Sequence, residues 1–321
     1  MKLNVIEKFQ SLFILLSVFL GLIIGQYEFF NNYASIFILP FLIIMLLGIF
    51  LQVPLRQLKK AVRNWRFAGI SASINFILNP ILAFLLGFLF LREEPALWIG
   101  FIMLMVTPCT DWYLLFTGTA KGNLPLSTSI LPMNLILQLI LLPIYLFIFV
   151  GTIATIDIFL LIESVVLVLF LPFTMSVIIK WIIPWIKGKD WLEMKIFPKL
   201  DKIQFIFLNL AIVAMFASQG EQLLDNPLIF LQLFIPIILF FATVFIIAQL
   251  VGKLARLSYK DTVSLSMTTL ARNSPIVLAI ALIAFPHEPL IALVLVIGPL
   301  IELPMLSIVS NILLWSKNHW W

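Results

Sequence analysis

Two short polar stretches interrupt segments that are otherwise apolar: residues 107–111, with the sequence TPCTD, and residues 271–275, with the sequence ARNSP. Each stretch contains a proline, at least one hydroxyl side chain and a charge. In lipid a broken helix leaves backbone N–H and C=O groups without partners, and an ionisable side chain is also costly there. Such interruptions persist where protein or a water-filled cavity surrounds them, so both stretches are candidate substrate or ion sites.

The two stretches offer several side chains that can hold a small solute. The chain has one cysteine, which excludes an internal disulfide and a multi-cysteine metal site and leaves either a small packed residue or a single soft ligand. An arginine can anchor an anion, and an asparagine can offer an amide oxygen. We therefore predict no metal centre and no cofactor, and the predicted substrate-binding residues are Cys109, Thr110, Arg272, Asn273 and Ser274.

Away from the span ends, four charged residues lie inside apolar spans: Asp111, Glu163, Arg272 and Glu302. Burying such a group unpaired costs roughly 2.5–3.5 kcal/mol for Asp or Arg, so each needs a partner, water or a proton. Asp111 and Arg272 either form a structural ion pair, or Arg272 anchors an anion while Asp111 binds a coupling ion or a proton. Glu302 suits a carboxyl that takes up and releases a proton, or one that stays protonated as a hydrogen-bond donor. Asn134 is a third candidate for ion coupling.

Composition places these residues in a membrane protein. Hydrophobic residues make up 63% of the 321 residues and charged residues 11%, which is typical of a polytopic membrane protein and not of a soluble domain. The net charge of +5 does not indicate nucleic-acid binding, because the cations lie between apolar runs. Ten apolar runs are long enough to cross a bilayer: 9–25, 35–53, 67–91, 96–118, 126–150, 156–186, 203–219, 227–252, 262–285 and 290–315.

The positions of the lysines and arginines predict the orientation. If both termini are cytoplasmic, all but two of the 20 cationic side chains, Arg92 and Arg272, fall in cytoplasmic segments. This asymmetry matches the positive-inside rule. We expect a multi-pass protein of a prokaryotic inner membrane, whereas the sequence does not distinguish a monomer from a homodimer.

Five spans in each half make any internal repeat an inverted one. Residues 1–150 and 151–321 correspond: interrupted span 4 begins near Ala96, interrupted span 9 begins near Thr262, and a proline-bearing span follows each. Paired interrupted helices in inverted repeats indicate an alternating-access transporter with its site near the midplane. The predicted fold is therefore all-α, with ten helices in an inverted 5+5 repeat and with helices 4 and 9 broken and crossed. No phosphate-cradling glycine loop is present and no histidine lies in a span, which argues against an enzyme.

Several motifs resemble the arsenite efflux permeases of the bile acid/arsenite/riboflavin transporter superfamily. They are the TPCT of residues 107–110, the AKGN of residues 120–123 and the IGPLIELP of residues 297–304. The resemblance covers essentially the whole chain and implies ten spans, crossed broken helices of a panel-plus-core transporter, and proton-coupled efflux of arsenite or antimonite. It assigns the handling of trivalent arsenic to Cys109 and the role of the acid in span 10 to Glu302.

Two differences from the family pattern add charge to the binding region. Asp111, Trp112 and Tyr113 follow the cysteine motif where uncharged small and apolar residues are expected, and Arg272 stands in a stretch where many relatives have asparagines followed by an acid. These differences favour a side branch of the family with another substrate, an oxyanion or an organic anion. The alternative function is a sodium-coupled symporter of an organic anion, like the bile-acid branch of the superfamily. In that case Asn273, Ser274 and Asn134 would supply oxygen ligands for sodium.

Overall fold

The computed structural model describes residues 10–54, 64–110, 112–153, 158–188, 191–224 and 228–319. The described residues contain no β-strand, and one isolated antiparallel bridge joins Pro108 to Arg272. The helices are α1 Gln10–Ile24, α2 Glu28–Tyr33, α3 Ser35–Gln52, α4 Trp65–Ser73, α5 Asn79–Phe90, α6 Pro95–Met105, α7 Trp112–Thr119, α8 Leu124–Tyr145, α9 Ile158–Val165, α10 Leu171–Lys187, α11 Phe197–Leu224, α12 Leu228–Leu254, α13 Tyr259–Leu270, α14 Ser274–Ala284 and α15 Pro289–His319. Single π-helical turns occupy Ile74–Leu78, Leu146–Val150, Val166–Phe170 and Leu192–Ile196.

Seven helical stretches in the described part of the chain are long and apolar enough to cross a membrane. They are Ser35–Gln52, Trp65–Phe90, Leu124–Val150, Phe159–Lys187, Leu192–Ser218, Leu231–Leu254 and Pro289–Lys317. Each of the seven overlaps one of the ten predicted spans, and the largest difference is at Leu192–Ser218, which begins eleven residues before the predicted span 203–219. The other three predicted spans contain shorter apolar helices, Leu12–Ile24, Pro95–Met105 and Ser274–Ala284. The last two are short because each adjoins one of the polar stretches, where the backbone leaves the helix.

The outer surface of the protein fits a lipid environment. Large apolar side chains such as Phe19, Leu89 and Ile246 are exposed along the helices, far more than a soluble protein tolerates in contiguous patches. A helix satisfies its own backbone hydrogen bonds, which is the requirement that hydrocarbon imposes. The protein is therefore a multi-pass, all-helical membrane protein.

The helices form two packed groups. In the first group α11 packs along α1 and α3, and α3 also contacts α10. The approach of α1 to α11 is close because glycines face it: a Cβ added to Gly21 would lie 2.6 Å from the Cβ of Phe216. Where α3 ends, the Lys180 ammonium donates to the carbonyls of Phe50 and Val53, both at 2.9 Å. A cation is stabilising at this negative end of a helix.

The second group holds the two polar stretches. In this group α6 packs against α15, α13 against α12, and α14 against both α9 and α15. The π-helical turn between α4 and α5 also belongs here, and its position has a local cause. Pro80 has no N–H to donate to the carbonyl of Phe76, and that carbonyl accepts a hydrogen bond from the Tyr145 hydroxyl instead. Polar side chains on this turn reach the end of α13, as described below.

Candidate functional site

The non-helical residues of the two polar stretches lie against each other. Helix α6 ends at Met105 and α7 begins at Trp112, while α13 ends at Leu270 and α14 begins at Ser274. The N–H of Cys109 donates to the carbonyl of Ala271, and the N–H of Asn273 donates to the carbonyl of Thr107, both at 2.9 Å. We call residues 107–110 and 271–273 the crossing. Its two backbone hydrogen bonds satisfy groups that the interrupted helices release, which makes the interruption tolerable inside a membrane protein.

The five predicted substrate-binding residues are all buried at or beside the crossing. Cys109, Thr110, Arg272, Asn273 and Ser274 are each at most 4% exposed. The Asn273 side-chain amide donates to the Thr110 hydroxyl at 3.3 Å, which joins the two stretches through side chains as well. The Ser274 hydroxyl donates to the carbonyl of Leu295 on α15. The thiol, hydroxyl and amide groups predicted from the sequence are thus brought together in space.

Cys109 lies in the middle of the backbone pairing. Its Sγ accepts a hydrogen bond of 3.3 Å from the N–H of Trp112, the first residue of α7. The N-terminal end of a short helix thus faces the sulfur. These contacts place the sulfur atom at the crossing, where the sequence predicts a soft ligand.

The guanidinium of Arg272 binds neutral oxygen atoms at the ends of two helices. Nε donates to the carbonyl of Leu270 at 2.9 Å, Nη1 to the carbonyl of Met105 at 2.8 Å, and Nη2 to the carbonyl of Thr269. Nη2 also lies 3.3 Å from Oδ1 of Asn75. The last carbonyls of a helix have no partner within the helix and carry partial negative charge, so a buried cation stabilises both ends at once.

The side chain of Glu302 contacts the backbone of Arg272. Its Oε1 accepts a 2.7 Å hydrogen bond from the N–H of Arg272. Within the described part of the chain, Arg272 and Glu302 are the only charged side chains that are buried. Both line a cavity of about 30 Å³ next to Trp112 and Pro299. This volume holds one or two water molecules, and the carboxylate supplies a polar partner for them.

Asn134 lies on α8 and contacts α13 close to the crossing. Its amide nitrogen donates to the Thr268 hydroxyl at 3.2 Å, whereas its buried Oδ1 has no hydrogen-bond partner. Asp111 lies outside the described residues, so its pairing with Arg272 and its role in coupling stay predictions. Glu163 is exposed on α9.

Sequence reasoning missed Asn75, in the π-helical turn, and Asn79, the first residue of α5, as direct partners of the end of α13. The amide of Asn75 donates to the carbonyl of Thr268 at 3.2 Å, and the amide of Asn79 donates to the carbonyl of Thr269 at 3.1 Å. The Phe240 ring, 5.5 Å from the guanidinium carbon of Arg272, was also missed. Two amides four residues apart in an apolar span share one helix face, and this spacing is the signal that could have revealed the asparagines.

A larger cavity of about 330 Å³ reaches the crossing from the end of α3. Thr110, Leu114, Thr128 and Leu131 line one side of it, and residues 49 and 52–54 line the other. The cavity lies between the end of α3 on one side and α7 and α8 on the other. It is large enough for a small solute to reach the Thr110 hydroxyl.

These features define a polytopic helical membrane protein with buried polar residues where two non-helical segments meet, an arrangement typical of a solute transporter. The chain belongs to the Sodium Bile acid symporter family, whose model matches residues 39–226. It is 26% identical to the Arsenical-resistance protein Acr3 of Corynebacterium glutamicum over 98% of this chain and 90% of that protein. It is 23% identical to Acr3 of Alkaliphilus metalliredigens, over 98% and 93% respectively. It is 24% identical to an uncharacterized transporter of Synechocystis sp., over 99% and 90%.

The comparisons confirm the resemblance that the motifs indicated. The family and the relatives indicate a membrane transporter and not an enzyme.

Proposed function

We propose that this protein is a secondary active exporter of arsenite, and of antimonite, driven by inward movement of protons. The observation that carries the proposal is the position of Cys109. The sulfur lies in the middle of the crossing, next to Thr110, which lines the 330 Å³ cavity. The two relatives named as arsenical-resistance proteins support the same solute.

The chemistry of the crossing suits a neutral metalloid. Arsenite is uncharged near neutral pH, and trivalent arsenic is a soft centre that prefers sulfur ligands. One thiolate from Cys109, with oxygen atoms of Thr110 and Asn273 nearby, can hold it weakly enough for release. A site with three thiolates would bind more tightly and release more slowly, so a single cysteine fits transport better than storage.

The architecture that supports this mechanism is the ten-helix inverted repeat predicted from the sequence, with residues 1–150 and 151–321 as its halves. Both termini are cytoplasmic in this proposal, so α3 ends at the cytoplasmic side and the 330 Å³ cavity opens there. Arsenite enters the cavity from the cytoplasm and binds at the crossing. Movement of the crossing relative to α1, α3, α10 and α11 then exposes the site to the other side.

Proton coupling is assigned to Glu302, with Asp111 and Asn134 as further candidates. The Glu302 carboxylate accepts a hydrogen bond from the backbone of the crossing and lines the 30 Å³ cavity. A buried carboxylate beside a water-sized cavity can receive a proton through that water. Its charge state then alters a contact with the same stretch that holds the solute.

The experiment that tests the proposal is arsenite uptake into everted membrane vesicles that are energised by a proton gradient. Vesicles with the wild-type protein should accumulate arsenite, a protonophore should abolish the accumulation, and Cys109→Ser should lack it at equal protein level. Absence of uptake by wild-type vesicles would refute arsenite as the solute.

A sodium-coupled symporter of an organic anion is the second candidate. The family carries the name of such symporters, and the oxygen atoms of Asn134, Asn273 and Ser274 are candidate sodium ligands. The ion dependence separates the two candidates. Uptake of an organic anion such as taurocholate that requires sodium and resists a protonophore would favour the symporter.

A further inference from the structure

The side chain of Arg272 lies in a ring of neutral oxygen atoms. Three of its acceptors are backbone carbonyls, those of Thr269 and Leu270 at the end of α13 and that of Met105 at the end of α6. The fourth is the amide oxygen of Asn75. Among the residues that the structure describes, these four acceptors are all uncharged, so helix-end carbonyls and one amide oxygen hold the guanidinium.

Such a ring is the kind of site that binds a cation. In transporters with interrupted helices, unwound carbonyls and the negative ends of half-helices coordinate the coupling sodium ion or proton. Sodium is a hard cation that prefers oxygen ligands, and carbonyl and amide oxygens provide them. Here a covalently attached cation already occupies this position.

The Asn75 oxygen of the ring is held in place by contacts that do not involve Arg272. The Asn75 amide is oriented by two other contacts: its nitrogen donates to the Thr268 carbonyl at 3.2 Å, and its oxygen accepts from the Asn79 amide at 3.3 Å. The Phe240 face, 5.5 Å from the guanidinium carbon, closes another side. Shortening residue 272 would leave these oxygens in place around an empty, buried space.

We propose that Arg272 is a resident cation that replaces a coupling sodium ion between the ends of α6 and α13. The wild-type crossing then needs no sodium, and truncating Arg272 turns the position into a site for a free cation. The consequence of this replacement for ion coupling rests on the proposed transport function. The stability experiment below needs no transported solute, so the two proposals can fail separately.

The same contacts bear on the anion-anchor hypothesis for Arg272. An anion would have to compete with four acceptors that already bind the guanidinium, in a site where the side chain is 2% exposed. The resident-cation role uses these acceptors as they are. It also explains why a cation at the crossing is compatible with transport of an uncharged solute.

The test measures thermal unfolding of the purified protein in detergent. Arg272→Ala should lower Tm by about 5–10 °C, because a buried set of helix-end carbonyls loses its partner. Millimolar guanidinium chloride, far below denaturing concentrations, should restore Tm with saturation, and sodium chloride should restore it in part relative to choline chloride. The wild-type Tm should be the same in sodium and choline salts.

Arg92→Ala is the matched control. Arg92 is exposed and rests on the Phe88 ring, so its truncation also removes one arginine but opens no buried ring of carbonyls. Guanidinium and sodium should leave the Tm of this variant unchanged. Equal responses of the two variants would overturn the proposal, as would saturable stabilisation of the wild-type protein by sodium over choline.

Two further variants test the role of charge even if Arg272→Ala fails to fold. Lysine retains a cation that can reach some of the carbonyls, whereas glutamine retains donors without the charge. We expect Arg272→Lys to accumulate to a higher level and to unfold at a higher temperature than Arg272→Gln. A glutamine variant that equals or exceeds the lysine variant would show that a cation is not required there.

Discussion

The backbone N–H of Arg272 donates a hydrogen bond of 2.7 Å to the carboxylate of Glu302, which lies thirty residues later in the chain. This bond ties the second interrupted stretch to α15. A hydrogen bond to a charged carboxylate is stronger than one to a protonated carboxyl group, so protonation of Glu302 weakens the tie. The contact is therefore a physical route by which a proton can alter the crossing.

Glu302→Gln tests that route. The glutamine oxygen can still accept the hydrogen bond of the Arg272 N–H, but the side chain cannot take up a proton. We expect a Tm close to that of the wild type, together with arsenite accumulation in energised vesicles that falls to the level of de-energised ones. Exchange of arsenite across the membrane without a gradient should persist. Gradient-driven accumulation at the wild-type level would remove Glu302 from the coupling mechanism.

Cys109→Ser tests the sulfur as a ligand. The crossing is held by main-chain hydrogen bonds at residue 109, and a serine oxygen can accept the N–H of Trp112 in place of Sγ, so the fold should persist. The apparent affinity for arsenite should fall by about tenfold or more, which corresponds to the loss of roughly 1.4 kcal/mol of binding free energy and suffices to remove accumulation at low arsenite concentration. The measurement is the apparent affinity for arsenite in everted vesicles, with Tm as the control. An unchanged affinity would show that Cys109 only packs.

Asn75→Leu tests the support of the second stretch. The change removes a donor to the Thr268 carbonyl and an acceptor of Arg272, and leaving buried partners unpaired costs about 1–3 kcal/mol. We expect a clear decrease in Tm. Ser71→Ala, one turn earlier on the same face, is the control, because the buried Ser71 hydroxyl has no hydrogen-bond partner. A similar decrease in both variants would point to helix packing in general and not to the Asn75 contacts.

Gln138→Met tests an unsatisfied amide. Gln138 is 2% exposed and neither its nitrogen nor its oxygen has a hydrogen-bond partner, so an apolar side chain of similar length should be neutral or stabilising. Gln249→Met should lower Tm, because the Gln249 amide donates to the Ser266 hydroxyl at 2.7 Å. Thermal unfolding of the two variants gives the comparison. A larger decrease for Gln138→Met would indicate that this amide binds water or solute in the working protein.

The two polar stretches could be predicted from the sequence because a membrane span rarely contains polar or helix-breaking residues. A proline, a cysteine, an arginine and an asparagine in apolar runs are exceptional in lipid, and their positions alone indicated that residues 107–111 and 271–275 matter. The partners of these residues were not predictable in the same way. The Arg272 guanidinium was expected to pair with Asp111, which lies outside the described residues, or to anchor an anion. Its contacts in the described part of the chain are three backbone carbonyls and the amide oxygen of Asn75. Every residue carries a backbone carbonyl, so no sequence pattern distinguishes those that bind the guanidinium.

The sequence by itself determined that the chain is helical and lies in a membrane, and it predicted that two polar stretches carry the chemistry, because hydropathy and helix-breaking residues act locally along the chain. Only the tertiary structure decided that Cys109 and Ala271 pair through their backbones, that Asn75 reaches the end of α13 and that Arg272 joins two helix ends. These contacts depend on how helices that are far apart in the sequence pack together. Many apolar side chains can form similar packing contacts, so the sequence does not show which helices meet.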